Sequence, residues 1–464
     1  MGGNETGSMT QTRQLFGTDG IRGVAGEFPL TRDNTYLIGR ALGHDLLRSN
    51  PKAQVVIGQD TRESSRWIAD RLCQGLASVG VGAHSAGVIT TPGVAYLARS
   101  KNLDAGVVIS ASHNPWTDNG IKVFSGDGYK LPDARELAIE QEIFALLQKA
   151  EAAPAADSTS TSLPGDKNLR EAYIRWLAES VSADLTRLHV AVDCAHGAAT
   201  AEAPELLGAL GVKAEFLNCA PDGKNINENC GALHPEAIAD FVAGQHGRFD
   251  LGVTFDGDAD RALFSDSEGR VVNGDAVLLI AARDMSGRGL LTNSTVVATT
   301  MSNMGLELAL REEGLKMLRA NVGDKYVLEE MQRTGATLGG EQSGHILFRD
   351  GQATTGDGLL TALRLMEIMV RSGQPLGALV GDLKVFPQII RNVRVREKVP
   401  LADVPPVRQA ISEAERQLDG NGRIVVRYSG TEALARVMIE AESKEKMNRI
   451  ADSIVKVLQA NLGT

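Results

Sequence analysis

Positive charge is in short supply in this chain of 464 residues. Its 48 lysines and arginines face 58 aspartates and glutamates, which leaves a formal net charge of −10. Proteins that bind nucleic acids usually carry a basic surplus, so we do not expect nucleic acid as a partner. An acidic chain can still bind small anions, but only where it gathers its cations locally.

Cysteine is also scarce, and long apolar runs are absent. The four cysteines show no CxxC spacing, which favours reduced thiols in a cytoplasmic protein over a disulfide framework. No apolar run approaches the roughly 20 residues that span a bilayer, so no membrane is expected as a partner. The N-terminus lacks the apolar core of a signal peptide. Residues 1–8, which are glycine-rich and polar and precede a second methionine, are interpreted as an expression remnant.

The chain contains a regular alternation of strand-like and helix-like segments. Hydrophobic residues make up 43% and charged residues 23%, which is ordinary for a soluble protein with a sizeable core. Strands separated by helices indicate α/β domains with mixed, mainly parallel sheets. The apolar patterns predict strands at 54–58, 105–109, 188–193, 250–255 and 295–299, and helices at 63–79, 133–150, 201–210, 304–313 and 356–371.

The pattern changes after residue 383, where antiparallel strands become more prominent. Strands are predicted at 389–395, 423–427 and 436–440, with helices at 407–418 and 444–462. An Ala-, Ser-, Thr- and Pro-rich stretch at 151–162 reads as a linker. We therefore predict three consecutive α/β domains followed by a C-terminal α+β domain, with boundaries at 9–160, 161–267, 268–383 and 384–464.

An acidic loop after the strand at 250–255 carries the strongest chemical signal. Asp256, Asp258 and Asp260 alternate with small residues, and an extended chain would place all three carboxylates on one side. Three like charges so close repel one another unless a cation neutralises them, and hard oxygen ligands suit Mg²⁺. The alternative is a solvated acidic turn. An EF-hand is excluded, because Arg261 and Ser267 stand where that loop needs Gly and Glu.

A second loop follows the strand at 105–109, at the carboxyl end where α/β sheets place their ligands. Within about ten residues it offers the Ser112 hydroxyl, the His113 imidazole, the Asn114 amide and the Lys122 ammonium. A hydroxyl needs a base or a metal to become reactive. The alternative is a turn that uses Ser, Asn and Pro only for their conformational preferences.

Three further loops are ambiguous when each is taken alone. Glycines around Arg22, at 16–23, would let the backbone approach a ligand closely, or would simply form a turn. Glu341, Ser343 and His345 alternate, so an extended chain would place them on one face for sugar hydroxyls, whereas the alternative is a hairpin. Near the C-terminus, a phosphate cradle or an ordinary hairpin would use Arg427, Ser429, Gly430, Thr431 and Arg436.

The order of these loops resembles the α-D-phosphohexomutase superfamily over essentially the whole chain. Ser-Ala-Ser-His-Asn-Pro at 110–115 is followed by Asp-Gly-Asp-Ala-Asp-Arg at 256–261, Gly-Glu-Gln-Ser-Gly-His at 340–345 and Arg-x-Ser-Gly-Thr-Glu at 427–432. The opening loop, the stretch at 321–327 and Gln342 are most similar to the bacterial branch that acts on glucosamine phosphates. The resemblance implies four domains around a central active-site cleft, with one loop from each.

The resemblance also implies a reaction and its cofactors. Ser112 would carry a phosphoryl group, and one Mg²⁺ per subunit would be held by Asp256, Asp258, Asp260 and an oxygen of the phosphoserine. The implied reaction interconverts glucosamine 6-phosphate and glucosamine 1-phosphate through a 1,6-bisphosphate, in UDP-N-acetylglucosamine synthesis. Glucosamine or glucose 1,6-bisphosphate would act as the activator. The partner is thus a small phosphosugar, and a homodimer is the candidate oligomer.

The implied roles extend to the remaining residues. Lys122 is favoured as the base, with its pKa lowered by Arg22, while His113 and His345 stay open as alternatives. Arg22 would also share in neutralising the transferred phosphoryl group. The implied substrate contacts are Arg261, Lys325, Glu341, Ser343, His345, Arg427, Ser429, Gly430, Thr431 and Arg436.

Three positions depart from the pattern of the superfamily without removing a reactive group. Ala433 replaces a common proline, Lys325 replaces an arginine and loses its bidentate fork, and Trp116 replaces a smaller aromatic residue. They leave open the same chemistry on mannose or glucose phosphates. A metal-dependent sugar phosphatase and a non-catalytic sugar-phosphate sensor are more distant alternatives.

Overall fold

The structure is a computed structural model that describes residues 13–17, 19–149, 164–349, 351–381, 383–420, 422–429 and 433–463. The predicted expression remnant and the whole of the predicted linker lie outside the described residues. The chain divides into two compact units, Met1–Thr300 with Leu318–Gly381 and Met301–Met317 with Asp382–Thr464. The four domain boundaries given above stay a prediction.

The first sheet has six strands, the first of which has only two residues. They are β1 (Phe16–Gly17), β2 (Gly20–Val24), β3 (Gln54–Gln59), β4 (Gly82–Val88), β5 (Ala105–Ile109) and β6 (Asp118–Ser125). Their order is β1-β2-β6-β5-β3-β4, with β3 parallel to β4 and β5 and the other pairings antiparallel. The helices of this part are α1 (Arg32–Leu47), α2 (Glu63–Ser78), α3 (Thr91–Ser100) and α4 (Asp133–Gln148).

Helices cover both faces of this sheet. Val55 and Ile57 of β3 join the core beneath α1, α2 and α4, whereas Val56 between them joins a second core beneath α3. A strand buried on both faces reads as a continuous apolar run, which is why β3 was recognisable from the sequence. The predicted α2 stripe is confirmed, since Ile68 and Leu72 are fully buried.

The second sheet has five strands in the order β11-β10-β9-β7-β8. Its strands are β7 (His189–Asp193), β8 (Lys213–Leu217), β9 (Leu251–Phe255), β10 (Ala262–Asp266) and β11 (Val271–Val272), with helices α5 (Lys167–Glu179), α6 (Ala199–Ala209) and α7 (Pro235–Gly244). β7 runs parallel to β8 and β9, while β9, β10 and β11 are joined antiparallel.

The third sheet has four strands in the order β13-β12-β14-β15. They are β12 (Thr295–Thr299), β13 (Lys316–Ala320), β14 (Leu338–Gly340) and β15 (Ile346–Phe348). The helices in this part of the sequence are α8 (Gly274–Gly287), α9 (Met304–Glu312), which belongs to the second unit, α10 (Asp324–Thr334), α11 (Gly358–Ser372) and α12 (Leu376–Val380). β12 is parallel to β14, and β14 is antiparallel to β15. The mixed α/β class is confirmed.

Most of the second unit is a three-stranded antiparallel sheet with two helices. It contains β16 (Gln388–Arg394), β17 (Gly422–Tyr428), β18 (Leu434–Ala441), α13 (Pro405–Leu418) and α14 (Lys444–Leu462), with β18 in the centre of the sheet. Its core includes Val407 of α13, Val437 of β18 and Leu458 of α14. The α+β character expected after residue 383 is confirmed. Within the described residues, no helix is both long and apolar enough to cross a membrane.

Two buried carboxyl groups, Glu202 of α6 and Asp357 at the N-cap of α11, form an acidic cluster. Glu202 is fully buried and both of its carboxylate oxygens accept from the Thr90 amide, at 3.3 and 3.2 Å. Tyr173 donates to Asp357 at 2.7 Å in the same region. Burial raises the pKa of Glu202 to about 8 and the pKa of Asp357 to about 6.

The fold is therefore expected to lose stability as Glu202 ionises. Because its folded pKa lies above the usual value of 4.5, its contribution is complete below pH 4.5 and is lost as pH rises through about 8. Glu202→Gln cannot ionise. From well below pH 4.5 to well above pH 8, its free energy of unfolding should therefore rise relative to that of the wild type by on the order of 5 kcal/mol. Urea unfolding at several pH values measures the gain. Glu205→Gln, at a half-exposed site on the same helix, is the control, and equal pH slopes in all three proteins would contradict the prediction.

Candidate active site

Ser112 lies three residues beyond the end of β5 and is almost completely buried. Its backbone adopts a left-handed conformation, with φ of 53°, which is uncommon for a residue other than glycine. Its Oγ donates to Asp256 Oδ2 at 2.5 Å and lies 3.3 Å from His113 Nδ1. The hydroxyl therefore points at the acidic loop.

The three aspartates converge, but not in the way expected from an extended chain. Asp256 follows β9 directly, and the chain then turns, with Ala259 at φ 53° and its amide donating to the Asp256 carbonyl at 3.0 Å. This turn, rather than the alternation of an extended strand, brings carboxylate oxygens of Asp256, Asp258 and Asp260 within 4.8 Å of one another. The predicted cluster is correct and the extended geometry is wrong.

A glycine allows this turn to approach the loop at residues 110–115 that carries Ser112, hereafter the serine loop. A Cβ atom at Gly257 would lie 2.5 Å from the Ser112 carbonyl oxygen, which no side chain tolerates. The glycine inside the acidic motif thus has a steric reason, and it sets the distance between the serine and the carboxylates.

The residues present fit a hard divalent cation. Asp256, Asp258 and Asp260 are all buried, and Asp258 Oδ1 and Asp260 Oδ1 have no hydrogen-bond partner among the described residues. Burial, with the charges of Asp260 and Asp258, raises the pKa of Asp256 well above its usual value. Clustered buried carboxylates with free acceptor oxygens favour a bound metal ion with oxygen ligands.

Lys122, on β6, is ion-paired rather than poised as a base. Its Nζ lies 2.8 Å from Asp258 Oδ2, 3.3 Å from Asp260 Oδ2 and 2.9 Å from Asp19 Oδ2. Burial opposes its charge, but these three carboxylates outweigh burial and raise the pKa of Lys122 well above its usual value. The lowered pKa predicted from the sequence is wrong for this arrangement.

His113 shows the opposite behaviour. Burial, together with the cations Arg261 and Arg22, lowers the pKa of His113 to about 4. Its imidazole is therefore neutral at neutral pH. Arg22 pairs with Asp19, which lies three residues before it in the same glycine-rich loop.

A cleft of about 410 Å³ opens beside these groups. Among its lining residues are Arg22, His113, Asp260, Arg261, Glu341 and His345, all of them predicted from the sequence. Glu341 accepts from the Gly323 amide at 3.0 Å. His345 Nε2 accepts from the Gly356 amide at 3.1 Å, and its Nδ1 faces Asp260 Oδ1 at 3.7 Å.

Ser343 and Lys325 are predicted substrate contacts of the first unit that do not line this cleft. Residues 341–345 form the turn between β14 and β15, closed by Gly344 donating to the Glu341 carbonyl at 3.0 Å, so the shared extended face is wrong. Ser343 stands exposed at the tip of that turn. Lys325 pairs with Asp133 and lines a neighbouring pocket of about 310 Å³ instead.

The C-terminal group lies in the second unit, on the hairpin of β17 and β18. Arg427 and Arg436 are direct partners across these antiparallel strands. Ser429 is buried, its amide donates to the Leu434 carbonyl at 2.8 Å, and its carbonyl accepts from Lys398 at 2.7 Å. Gly430 and Thr431 lie outside the described residues, and the role of this group as a phosphate cradle stays a prediction.

Sequence reasoning missed an alternating chain of charges along the cleft. Lys130 Nζ lies 2.5 Å from both Asp19 Oδ1 and Asp324 Oδ2, and Asp19 also holds Lys122. Asp19 and Asp324 fall inside the two motifs at 16–23 and 321–327, so the signal was present. Lys130 belongs to no motif, and only the tertiary structure reveals it.

Comparison with known proteins places this arrangement in a family. Four models of phosphoglucomutase/phosphomannomutase domains match in chain order: α/β/α domain I at 13–150, domain II at 171–269, domain III at 273–386 and the C-terminal domain at 391–457. The chain belongs to the phosphoglucomutase/phosphomannomutase family. Its fold also matches a member of this family from Burkholderia thailandensis, with a TM-score of 0.77, 26% identity, and coverage of 97% of this chain and 99% of the other.

Within the family, the chain is similar to phosphoglucosamine mutases. The phosphoglucosamine mutase of Koribacter versatilis is 60% identical over 97% of this chain and 98% of the relative. Those of Solibacter usitatus and Deinococcus radiodurans are 52% and 47% identical, over 97% and 96% of this chain and 99% and 98% of the relatives. These similarities extend over nearly the whole length of each protein.

Proposed function

We propose that this protein is a phosphoglucosamine mutase that interconverts glucosamine 6-phosphate and glucosamine 1-phosphate. The names of relatives up to 60% identical support this substrate. The observation that carries the chemistry is the buried Ser112 hydroxyl, 2.5 Å from Asp256 in a cluster of three carboxylates. A hydroxyl held beside a metal-binding cluster is the arrangement needed for reversible phosphoryl transfer.

The cation would be Mg²⁺, one per subunit, held by Asp256, Asp258 and Asp260, with a phosphate oxygen on Ser112 as a further ligand. When bound, it neutralises the negative charge of the transferred phosphoryl group. Arg22 and Arg261 line the cleft and add positive charge on the substrate side.

We infer that Ser112 serves as a phosphate relay rather than a one-way nucleophile. It would donate its phosphoryl group to the sugar hydroxyl, and the resulting 1,6-bisphosphate would turn around and return its other phosphate. A reaction of this kind needs a second binding site, which holds the phosphate that is not transferred. Arg427, Ser429, Gly430, Thr431 and Arg436 are proposed for that site, and Glu341 for the sugar hydroxyls.

The base is assigned from the charges around the two nearby candidates. Lys122 pairs with Asp19, Asp258 and Asp260, and a cation held by Asp258 and Asp260 would neutralise two of the three carboxylates that raise the pKa of Lys122. His113 is neutral at neutral pH, but a pKa of about 4 makes it a weak base. We therefore retain Lys122 for this role. The bisphosphate activator, a homodimer and a cytoplasmic location complete the proposal.

A substrate panel tests the proposed specificity. Glucosamine, glucose and mannose 6-phosphates are each supplied with Mg²⁺ and a catalytic amount of glucose 1,6-bisphosphate, and 1-phosphate formation is measured. We expect kcat/KM for glucosamine 6-phosphate to exceed that of the other two by about tenfold or more, because a site built around an amino group loses a polar contact with the other sugars. Equal values would contradict the assignment, and steady release of inorganic phosphate would favour a phosphatase.

A further inference from the structure

Arg62 is a buried arginine that does not line the cleft but hydrogen-bonds to the backbone of the serine loop. Its Nη2 donates to the carbonyl oxygens of Ser112 and Asn114, both at 2.9 Å, and its Nη1 donates to the Pro115 carbonyl at 2.9 Å. The side chain is completely buried. One guanidinium therefore donates to three backbone carbonyls of the loop that carries the hydroxyl.

Asp60 extends these contacts to the other side of the same loop. It accepts from Arg62 Nε at 2.9 Å and from Ser110 Oγ at 2.7 Å. Ser110 Oγ in turn accepts from the Ser112 amide at 2.9 Å. Both backbone polar groups of Ser112 are thus tied to the buried pair of Asp60 and Arg62.

The conformation of Ser112 explains why such contacts are needed. A residue other than glycine keeps a left-handed backbone conformation only where several surrounding contacts fix it. Asn227 provides one further contact of this kind, since its Nδ2 donates to the Ser112 carbonyl at 3.0 Å. The carbonyl therefore has two donors and the amide one acceptor, and Oγ is left to face Asp256.

We propose that Arg62 is a positioning residue that aims Ser112 Oγ at the metal-binding carboxylates. This inference rests on the proposed role of Ser112 as the phosphate carrier. Arg62 touches backbone carbonyls rather than reacting atoms, so it acts through the geometry of the loop. Lysine would keep the charge but could not span three carbonyls and Asp60, because it lacks the planar fork of arginine.

Three variants separate this role from a general contribution to the fold. Arg62→Lys removes the fork, and Ser110→Ala removes the acceptor of the Ser112 amide while leaving the buried ion pair intact. Arg71→Lys is the matched control, since Arg71 is a buried arginine of α2 that donates to Gln74 and the Arg32 carbonyl, away from the serine loop. Each full-length protein is measured for kcat, KM, phosphate on Ser112 by mass spectrometry, and hydrogen exchange of residues 110–115.

We expect Arg62→Lys and Ser110→Ala to lower kcat by about 10²-fold with KM for glucosamine 6-phosphate changed less than about threefold, as for a reacting group displaced by about an ångström. Amide exchange in residues 110–115 should accelerate by at least about tenfold in both variants. Arg71→Lys should match the wild type in kcat and in exchange of this segment. If Arg62 and Ser110 only stabilised the fold, all three variants would show a shifted Tm. A fall in kcat at nearly constant KM would then not set Arg62→Lys and Ser110→Ala apart.

Wild-type kcat and loop exchange in both Arg62→Lys and Ser110→Ala would overturn the inference, as would an equal loss in Arg71→Lys. If Arg62→Lys does not fold, Ser110→Ala decides alone by the same criteria. Failure of the proposed function can be distinguished from failure of this inference, because in the first case the wild type would turn over without phosphate on Ser112. Amide hydrogen exchange of residues 110–115 tests the contacts of Arg62 and Asp60 with the serine loop in either case, since it does not require turnover.

Discussion

Replacing Ser112 with alanine should abolish mutase turnover, by at least about 10⁴-fold in kcat, which is the scale seen when an enzymatic nucleophile is removed. The other serine hydroxyl of this loop cannot substitute, because Ser110 Oγ is committed to Asp60 and to the Ser112 amide. Intact-protein mass spectrometry should show one phosphate on a fraction of the wild type and none on Ser112→Ala. A coupled assay with glucosamine 6-phosphate, Mg²⁺ and glucose 1,6-bisphosphate measures the turnover.

The fold of the Ser112→Ala variant should be preserved. The change removes one buried hydroxyl and its contact with Asp256, and the backbone bonds from Arg62 and Asn227 remain. Ser49→Ala, at an exposed position, is the matched control and should retain full activity and phosphorylation. Substantial turnover by folded Ser112→Ala would rule out the covalent relay, and phosphate found on another residue would move the relay to that residue.

The second large effect is expected from the acidic turn. Changing Asp256, Asp258 and Asp260 together to asparagine should reduce turnover by at least about 10³-fold, because neutral amides bind divalent cations weakly and cannot neutralise Lys122. The same variant should lose metal binding, which calorimetry measures without any catalysis. In the wild type, saturating Mg²⁺ at about 100 times its Kd should add about 2.7 kcal/mol to the free energy of unfolding.

Thermal unfolding with and without Mg²⁺ distinguishes loss of the metal from loss of the fold. The wild type should unfold at a higher temperature with Mg²⁺ than with a chelator, and the triple variant should show no difference. Asp184→Asn is the control, since this carboxylate is exposed and accepts hydrogen bonds from Thr186, far along the chain from the acidic turn. A triple variant that still gains thermal stability from Mg²⁺ would place the metal elsewhere in the protein.

Local periodicity made many elements predictable. The apolar stripe of the last helix defined 444–462, the bounds observed for α14. The buried run at 105–109 coincides with β5, because a strand covered on both faces needs a continuous apolar segment. Short edge strands such as β1 and β11 were missed, since two residues carry no detectable pattern and owe their conformation to a partner strand.

The identities of the reactive residues were also readable from the sequence. Ser112 and the three aspartates belong to motifs whose order identified the superfamily, and the structure brings these four residues together. Their local geometry was not readable, because it depends on turns. The left-handed residues Ser112 and Ala259 redirect the chain where an alternating pattern suggests a straight strand.

The electrostatic state of the site was decided by tertiary structure alone. Lys122 was expected to have a lowered pKa because Arg22 is near, yet Asp19, Asp258 and Asp260 converge on it from two other loops and reverse the sign. Arg62 lies 50 residues from Ser112 in the chain, and no motif links the two. The sequence by itself determined which groups perform the chemistry, while the packing of distant segments decided their charges and orientation, since Coulomb forces and hydrogen bonds depend on distances in space rather than along the chain.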